Sequence, residues 1–365
     1  MKNICITGSA GLLGRHALVH LKTQPDVKVR PIDHTTFDDT AKLQEALADA
    51  DVVYHFAGQN RGEPEKVAAA NVAIADRLAS ALSASVSSAH VIYSNSIHST
   101  GDTPYGRSKK AVADRLADWA GKSDGQLTDV LLPHVFGEHG KPFYNSVVST
   151  FCHQVASGET PTIASDGDLE LLHAGQVAEL FWNAIETGSG TVRPKGVPMK
   201  VSELLARLQH LAGRYADGVV PNVEDPMDLR LFNTYRSYIP MDQRPIDLTV
   251  HSDDRGGLFE SIRSDGPGQV FLSTTKPGIT RGNHFHLRKV ERFLVVQGTA
   301  KIRVRHVLSG DTHAFDVSGN RPQAIDIPTL YTHNISNVGD DELLTLFWAH
   351  EHFDPENSDT FFLEV

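Results

Sequence analysis

The chain has little cysteine and no long apolar stretch. Only two cysteines, Cys5 and Cys152, occur in 365 residues. That is too few for a disulfide framework, and Cys5 falls in a segment expected to be a central strand. A reduced, cytoplasmic setting follows as an expectation. No apolar run approaches the ~18 residues of a membrane span, and the chain enters a strand at once over residues 3–7, leaving no room for a signal peptide. Positive charge is in deficit as well. Lys and Arg number 34 against 45 Asp and Glu, a net charge of −11, which argues against nucleic acid or an anionic membrane surface as a general partner. A local basic patch for a diphosphate remains compatible with this balance. At 365 residues the chain exceeds one ordinary core, so two domains are expected.

The first half carries the pattern of a dinucleotide fold. A short apolar strand (residues 3–7) runs into Gly8-Ser-Ala-Gly11-Leu12-Leu13-Gly14 and then into Arg15–Leu21, which reads as a helix. Glycines there let the backbone turn sharply and approach a pyrophosphate, which then sits at the positive end of the helix. A second strand, Val27–Ile32, ends at Asp33-His34. A helical stretch, Thr40–Ala48, precedes a third strand ending in Phe56-Ala57-Gly58. Strands alternating with helices predict a parallel, doubly wound α/β sheet.

Further on, strand His90–Ser96 ends in hydroxyls, and Tyr105-Gly-Arg-Ser-Lys109 opens a helix. A spacing of four puts Tyr105 and Lys109 on one helical face. An ammonium beside the phenol is expected to lower its pKa, so Tyr105 can protonate a carbonyl oxygen as hydride arrives. Lys109 would also hold the nicotinamide ribose, and Ser96 would hydrogen-bond the same oxygen. Ser96, Tyr105 and Lys109 are therefore the catalytic candidates. Cofactor-binding candidates are Gly8, Gly11, Leu12, Leu13, Gly14, Arg15, Asp33, His34, Phe56, Ala57, Gly58, Tyr105, Lys109 and Pro133.

The second half holds the spacing Gly278-x5-His284-x-His286-x4-Glu291-x6-Gly298, followed by Pro328 and His333-x3-Asn337. Residues two apart on a strand point to one face, so His284 and His286 can reach one point. Glu291 is expected to return on the neighbouring strand, and His333 on a later one. Three imidazoles and a carboxylate suit zinc, or less selectively iron, manganese or nickel. From Ile246 onward, short alternating strands separated by turn signals predict a small all-β barrel. Residues 198–214 read as a helix, and 215–245, with Pro221, Pro226, Pro240 and Pro245, as an irregular connection. The domains are accordingly placed at 1–243 and 244–365.

The glycine loop and Tyr105/Lys109 pair resemble extended short-chain dehydrogenases, and the histidine spacing resembles the cupin motifs. Together they resemble the bifunctional capsular-polysaccharide epimerase–reductases of the UDP-N-acetyl-L-fucosamine pathway. Further motifs carry the resemblance over nearly the whole chain, among them Ala57-Gly58-Gln59-Asn60-Arg61, Phe136-Gly137, Tyr144–Val147, Tyr235–Tyr238, Asp253–Gly256, Lys276–Thr280, Phe293–Val296, Asp326–Pro328 and Asp359–Val365. The resemblance implies an extended short-chain reductase followed by a metal-binding cupin barrel. It implies that the cupin inverts C3 of a UDP-2-acetamido-2,6-dideoxy-4-keto-hexose and that the reductase reduces C4 with NADPH. A homodimer and a nucleotide-sugar site including Asn60, Arg61, His134, Tyr144 and Asn145 are implied in the same way.

Three departures from that pattern stand out. His173-Ala-Gly-Gln176 replaces an acidic pair, and Leu131-Leu-Pro133-His134 replaces Arg-x-Pro-Asn, so the exact sugar is open. Asp33 would repel a 2′-phosphate and favour NADH, whereas His34 and Arg15 could bind that phosphate; NADPH is the expectation by analogy. Two alternatives stay open from sequence. One is a 4-keto-sugar reductase alone, with the cupin binding sugar or holding a dimer together. The other is a non-catalytic NAD(P)-sensing scaffold, against which Ser96, Tyr105 and Lys109 argue.

Overall fold

In the computed structural model, which describes residues 1–365, the chain divides into two compact units. The first comprises residues 1–150 and 166–201, the second 151–165 and 202–365. The segment 202–243, grouped by sequence with the first domain, belongs to the second unit.

The first unit opens with β1 (Lys2–Thr7), α1 (Leu12–Leu21), β2 (Val27–Ile32), α2 (His34–Asp38), α3 (Thr40–Leu47) and β3 (Val52–His55). It continues with α4 (Pro64–Ala84), β4 (His90–Ser96), α5 (Pro104–Gly121), β5 (Gln126–Leu132), β6 (His134–Phe136), α6 (Val147–Ala156), β7 (Asp168–His173), α7 (Ala174–Thr187), β8 (Gly190–Val192) and β9 (Val197–Lys200). Six parallel strands lie in the order β2-β1-β3-β4-β5-β8. The chain reverses direction across the sheet between β1 and β3, as a doubly wound fold does.

Period-two alternation divides the strand side chains between two cores. Cys5, Val53, Val91 and Tyr93 pack with α3, α4 and α5. Ile4, Ile6, Val52, Tyr54 and Ile92 pack with α1 and α7. Strands covered on both faces need no polar alternation, so β3 and β4 are buried throughout. Helix α4 alone is long and apolar enough to cross a membrane by length and composition. Its Ala75, Leu78, Ala81 and Leu82 instead fill the first core. Both cysteines are buried, and neither forms a disulfide.

The second unit takes the end of α6 from residue 151 and resumes at 202 along α8 (Val201–Ala216), whose Leu204, Leu205, Leu208 and Leu211 form one buried stripe. The stretch expected to be irregular contains a further helix, α9 (Pro226–Arg236). Pro226 starts this helix rather than breaking it. Asp225 caps it by accepting the amides of Met227 and Asp228, and proline is tolerated at the first helical position.

The β elements are β10 (Pro245–Asp247), β11 (His251–Asp253), β12 (Gly256–Leu258), β13 (Gln269–Thr275), β14 (Thr280–Phe285), β15 (Glu291–Gln297), β16 (Thr299–His306), β17 (Thr312–Ser318), β18 (Gln323–Ile327), β19 (Tyr331–Asn337), β20 (Leu343–Ala349) and β21 (Phe361–Phe362). They form two antiparallel five-stranded sheets, β10-β18-β15-β20-β13 and β17-β16-β19-β14-β21, and the small hairpin β11-β12. The two ladders stay separate and do not close into one ring. Phe293, Val295 and Ile325 of one sheet share a core with Ile302, Val304 and Ile335 of the other. Because the turn after β14 crosses from sheet to sheet, Glu291 returns opposite β14, not beside it.

A buried ionic cluster joins the helices of this unit to its sheet. Arg292 donates to Asp326 through Nε and Nη2, at 2.7 and 2.9 Å. Tyr215 donates to the same carboxylate at 2.7 Å, and Arg236 donates to the Ile327 carbonyl at 2.7 Å. Burial would raise the Asp326 pKa, but the Arg292 guanidinium holds it down at about 2.

Candidate active sites

The glycine loop follows β1, and backbone crowding there explains its composition. Gly8 has φ +69°, and a Cβ would lie 2.7 Å from the Ala57 amide nitrogen. A Cβ on Gly14 would collide with the Gly8 carbonyl. Gly11 caps α1 without a side-chain bond, so the first amides of this ten-residue helix, which opens with Leu12, Leu13, Gly14 and Arg15, have no side-chain acceptor at the cap.

The Phe56-Ala57-Gly58 end of β3 is anchored by groups not evident from sequence. Thr7 Oγ1 bonds His55 Nδ1 at 2.7 Å and accepts the Ala57 amide at 3.3 Å. Asn71 of α4 closes the loop by accepting the Gln59 amide at 2.7 Å and donating to its carbonyl at 3.0 Å. Asp33 ends β2 as expected, but its Oδ1 also caps α2, taking the Thr36 amide at 2.8 Å and the Thr35 hydroxyl at 2.9 Å. Those bonds hold its carboxyl below the ordinary range. His34, the next residue, and Arg15, on α1, are both exposed.

Ser96, Tyr105 and Lys109 meet at the end of β4. Lys109 is buried and donates to the Ser94 carbonyl at 2.9 Å, with its ammonium 4.9 Å from the Tyr93 ring centroid. Burial pushes Lys109 down to about 8, against the pull of Asp129. Asp129 lies on β5 in register with Tyr93 and accepts from Asn95 at 3.1 Å. The Tyr105 phenol is raised, chiefly by burial, with an opposing hydrogen bond from Ser96. This reverses the expected direction: Lys109 bonds the β4 backbone and does not depress the phenol here. A raised pKa keeps Tyr105 protonated at neutral pH, the state a proton donor to a ketone needs.

The other sugar-site candidates gather in part. Arg61 donates to the Phe143 carbonyl at 2.7 Å, and its guanidinium sits 5.6 Å from the Tyr144 ring centroid. Asn60 and Asn145 are exposed. His134 follows the buried Pro133, accepts the Glu170 amide at 3.2 Å and faces His98. His173, a departure noted above, is committed to structure. It bonds Glu138 at 2.9 Å and caps α7. His16 lies 3.6 Å from the same carboxylate.

In the second unit His284, His286, Glu291 and His333 converge, with one donor atom from each within 4.8 Å of the others. His284 and His333 are register neighbours on β14 and β19, His286 lies in the turn beyond β14, and Glu291 opens β15 in the facing sheet. His286 Nε2 lies 2.8 Å from Glu291 Oε2. His333 Nε2 lies 3.5 Å from the same oxygen, is fully buried and makes no hydrogen bond. Burial drives His284 down to about 3, helped by the charges of His333 and His286. Burial would raise Glu291, but His286 and His333 hold it well below the carboxylate range. An orphaned imidazole nitrogen beside two further imidazoles and an ionised carboxylate fits a divalent ion. His306, a polar residue of β16, is engaged structurally, its Nδ1 accepting the Leu308 and Ser309 amides at 3.3 and 3.1 Å. Tyr331 packs edge-on against it in the core.

Comparison with known proteins agrees with this division. Residues 4–196 match the NAD dependent epimerase/dehydratase family, and residues 251–361 match the polysaccharide biosynthesis C-terminal domain. A UDP-2-acetamido-2,6-beta-L-arabino-hexul-4-ose reductase of Pseudomonas aeruginosa is 30% identical over 369 residues, covering 99% of this chain and 98% of that protein. The crystal structure of the capsular polysaccharide assembling protein CapF of Staphylococcus aureus superposes with a TM-score of 0.65 at 34% identity, with full coverage of both chains. A probable low-salt glycan biosynthesis epimerase of Haloferax volcanii is 29% identical over 125 residues, 31% of this chain and 80% of that protein.

Proposed function

The chain belongs to the NAD dependent epimerase/dehydratase family, and we propose that it carries two catalytic sites acting in turn on one UDP-linked 4-keto-6-deoxy amino sugar. The C-terminal unit is a cupin that binds one divalent ion, zinc by its donor set, and inverts C3 of UDP-2-acetamido-2,6-dideoxy-4-keto-hexose. The reductase domain then reduces the C4 ketone with NADPH. The observation that carries this reading is the buried His284/His286/Glu291/His333 quartet in a chain that also holds Ser96, Tyr105 and Lys109. The full-length relative named for 4-ulose reduction supports the second step.

The order follows from carbonyl chemistry. A C4 ketone acidifies the proton on C3, and its reduction removes that acidity, so inversion comes first. His284, His286, His333 and Glu291 would hold the ion, which when bound supplies a Lewis acid for charge developing on the ketone oxygen; NADPH supplies the hydride. Tyr105 gives its phenolic proton to the C4 oxygen as C4 gains hydrogen, so the carbonyl becomes an alcohol. Ser96 hydrogen-bonds the same oxygen. Lys109, held by the Ser94 carbonyl, places a positive charge beneath the site and binds the nicotinamide ribose. Arg61 and Tyr144, with Asn60, Asn145 and His134, are assigned to the nucleotide sugar.

The test is a reaction in D₂O with the UDP-4-keto-6-deoxy amino sugar and NADPH. The product should carry solvent deuterium at C3 and hydrogen from the cofactor at C4. A reduced product without deuterium at C3 would leave a reductase alone.

A further inference from the structure

We infer that Asp359 is a positioning residue for the metal-binding turn, and that ion binding is coupled to docking of segment 357–364. The inference rests on the metal reading of the histidine cluster and deepens it. One ligand of the donor set has no strand to hold it. His284, Glu291 and His333 sit on strands whose ladders fix their backbones, but β14 ends at Phe285, so His286 lies in the turn beyond. Something else must fix that ring.

Asp359 does so with both its main chain and its side chain. Its carbonyl lies 2.5 Å from His286 Nδ1. A ring that donates there from Nδ1 keeps the Nε2 lone pair for the cluster centre. Its carboxylate accepts the next three amides, Leu287 at 3.1 Å through Oδ1 and Arg288 and Lys289 at 2.9 Å through Oδ2. Those amides belong to the turn that separates ligand His286 from ligand Glu291. Asp359 is 4% exposed, so its bonds are made out of water.

Neighbouring residues tie the same segment to β14, to the turn after it and to β19. Phe361 and Phe362 pair with Phe285 and His284, and the Leu363 amide donates to the Asn283 carbonyl at 2.9 Å. Lys289 Nζ donates to the Ser358 carbonyl at 2.6 Å, and Thr332, next to His333, donates to the Leu363 carbonyl. The segment thus bonds residues next to three of the four ligands: Asn283 beside His284, Leu287 beside His286 and Thr332 beside His333. Linkage is reciprocal: if docking favours the geometry that binds the ion, the ion favours docking by the same factor.

Asp359 has φ +47°, so the choice of variant matters. Asn tolerates that region and keeps one acceptor oxygen, while Gly adopts it freely and removes the carboxylate. Zinc affinity by competition with a chromogenic chelator should fall roughly 10–100-fold in Asp359→Asn and further in Asp359→Gly. Hydrogen exchange provides the second measurement. Zinc should slow exchange at 287–289 and at 357–364 together in the wild type, and in the ion-free variants the 287–289 amides should exchange faster. Unchanged zinc affinity in both variants, with the wild type binding zinc and His333→Ala binding none, would overturn this inference alone. A wild type that takes up no zinc would overturn the metal reading and this inference with it. Unaltered exchange at 287–289 in Asp359→Gly would show that the carboxylate holds nothing in place.

Discussion

His333 Nε2 stands 3.5 Å from the carboxylate of Glu291, on the opposite sheet, and is buried without a hydrogen bond. A buried polar atom left in that state costs free energy unless something completes it. In a domain whose two ladders do not join, that pair is where the two sheets bring complementary donors together.

Replacing Tyr105 by Phe removes the hydroxyl but keeps the ring packed at the end of β4. Reduction of the 4-keto sugar should fall by roughly 10²–10⁴-fold, while cofactor binding stays close to wild type. Single-turnover oxidation of NADPH measures the loss, and wild-type rates in Tyr105→Phe would remove it from the proton-transfer role.

On the proposed reading, cofactor choice turns on Arg15 and His34 against Asp33. If the adenosine 2′-phosphate lies between them, Arg15→Ala should weaken NADPH by roughly 10-fold or more, the scale of a lost charged hydrogen bond. NADH binding should hardly change, and His34→Ala should act in the same direction with a smaller effect. Paired titrations with the two cofactors check this. A wild-type preference for NADH would mean that the Asp33 carboxylate decides the matter while also capping α2.

Asp326 is the only carboxylate paired with Arg292, and Arg236 lies against the same buried cluster. Asp326→Asn keeps the volume but leaves guanidinium charge buried. The second unit should lose about 3–5 kcal/mol of stability, read by urea denaturation. A loss below about 1 kcal/mol would show that water reaches the cluster.

Acid should weaken the first unit before its carboxylates titrate. Burial pushes His16 down to about 4 and His55 to about 3, from an ordinary 6.5. Both rings are neutral when folded, and the unfolded chain takes up their protons first. Their stabilising contribution is therefore complete above pH 6.5 and declines as pH falls from there toward 4. The melting temperature should drop between pH 7 and pH 5. A flat profile would mean the rings find proton acceptors on folding.

Much of the first unit was legible because its signals are local. Strands 27–32 and 90–96 have the bounds their apolar runs suggest, and the glycine spacing located the loop between β1 and α1. The four candidate ligands were legible because cupin-like spacing is itself a pattern. What escaped depends on distant partners. Asn71 closes the loop after β3 from 12 residues away, and Asp359 reaches His286 across 73. Helix α9 was hidden by Pro226, which reads as a breaker until Asp225 is seen to cap the helix. The return of Glu291 on the facing sheet could not be read from its spacing, since a short turn serves a hairpin and a sheet crossing equally well. The direction of the Tyr105 shift depends on burial, which spacing does not report.

The central claim is that one chain holds two separable sites, and C3 deuterium incorporation without cofactor tests it most directly. The UDP-4-keto-6-deoxy amino sugar is incubated in D₂O with the zinc-loaded wild type, Tyr105→Phe and His333→Ala, and deuterium at C3 is measured by mass spectrometry. Wild type and Tyr105→Phe should incorporate deuterium at equal rates, while His333→Ala should bind little zinc and incorporate at least roughly 10²-fold more slowly. Exchange that survives in His333→Ala and disappears in Tyr105→Phe would place the C3 chemistry in the reductase domain and contradict the account.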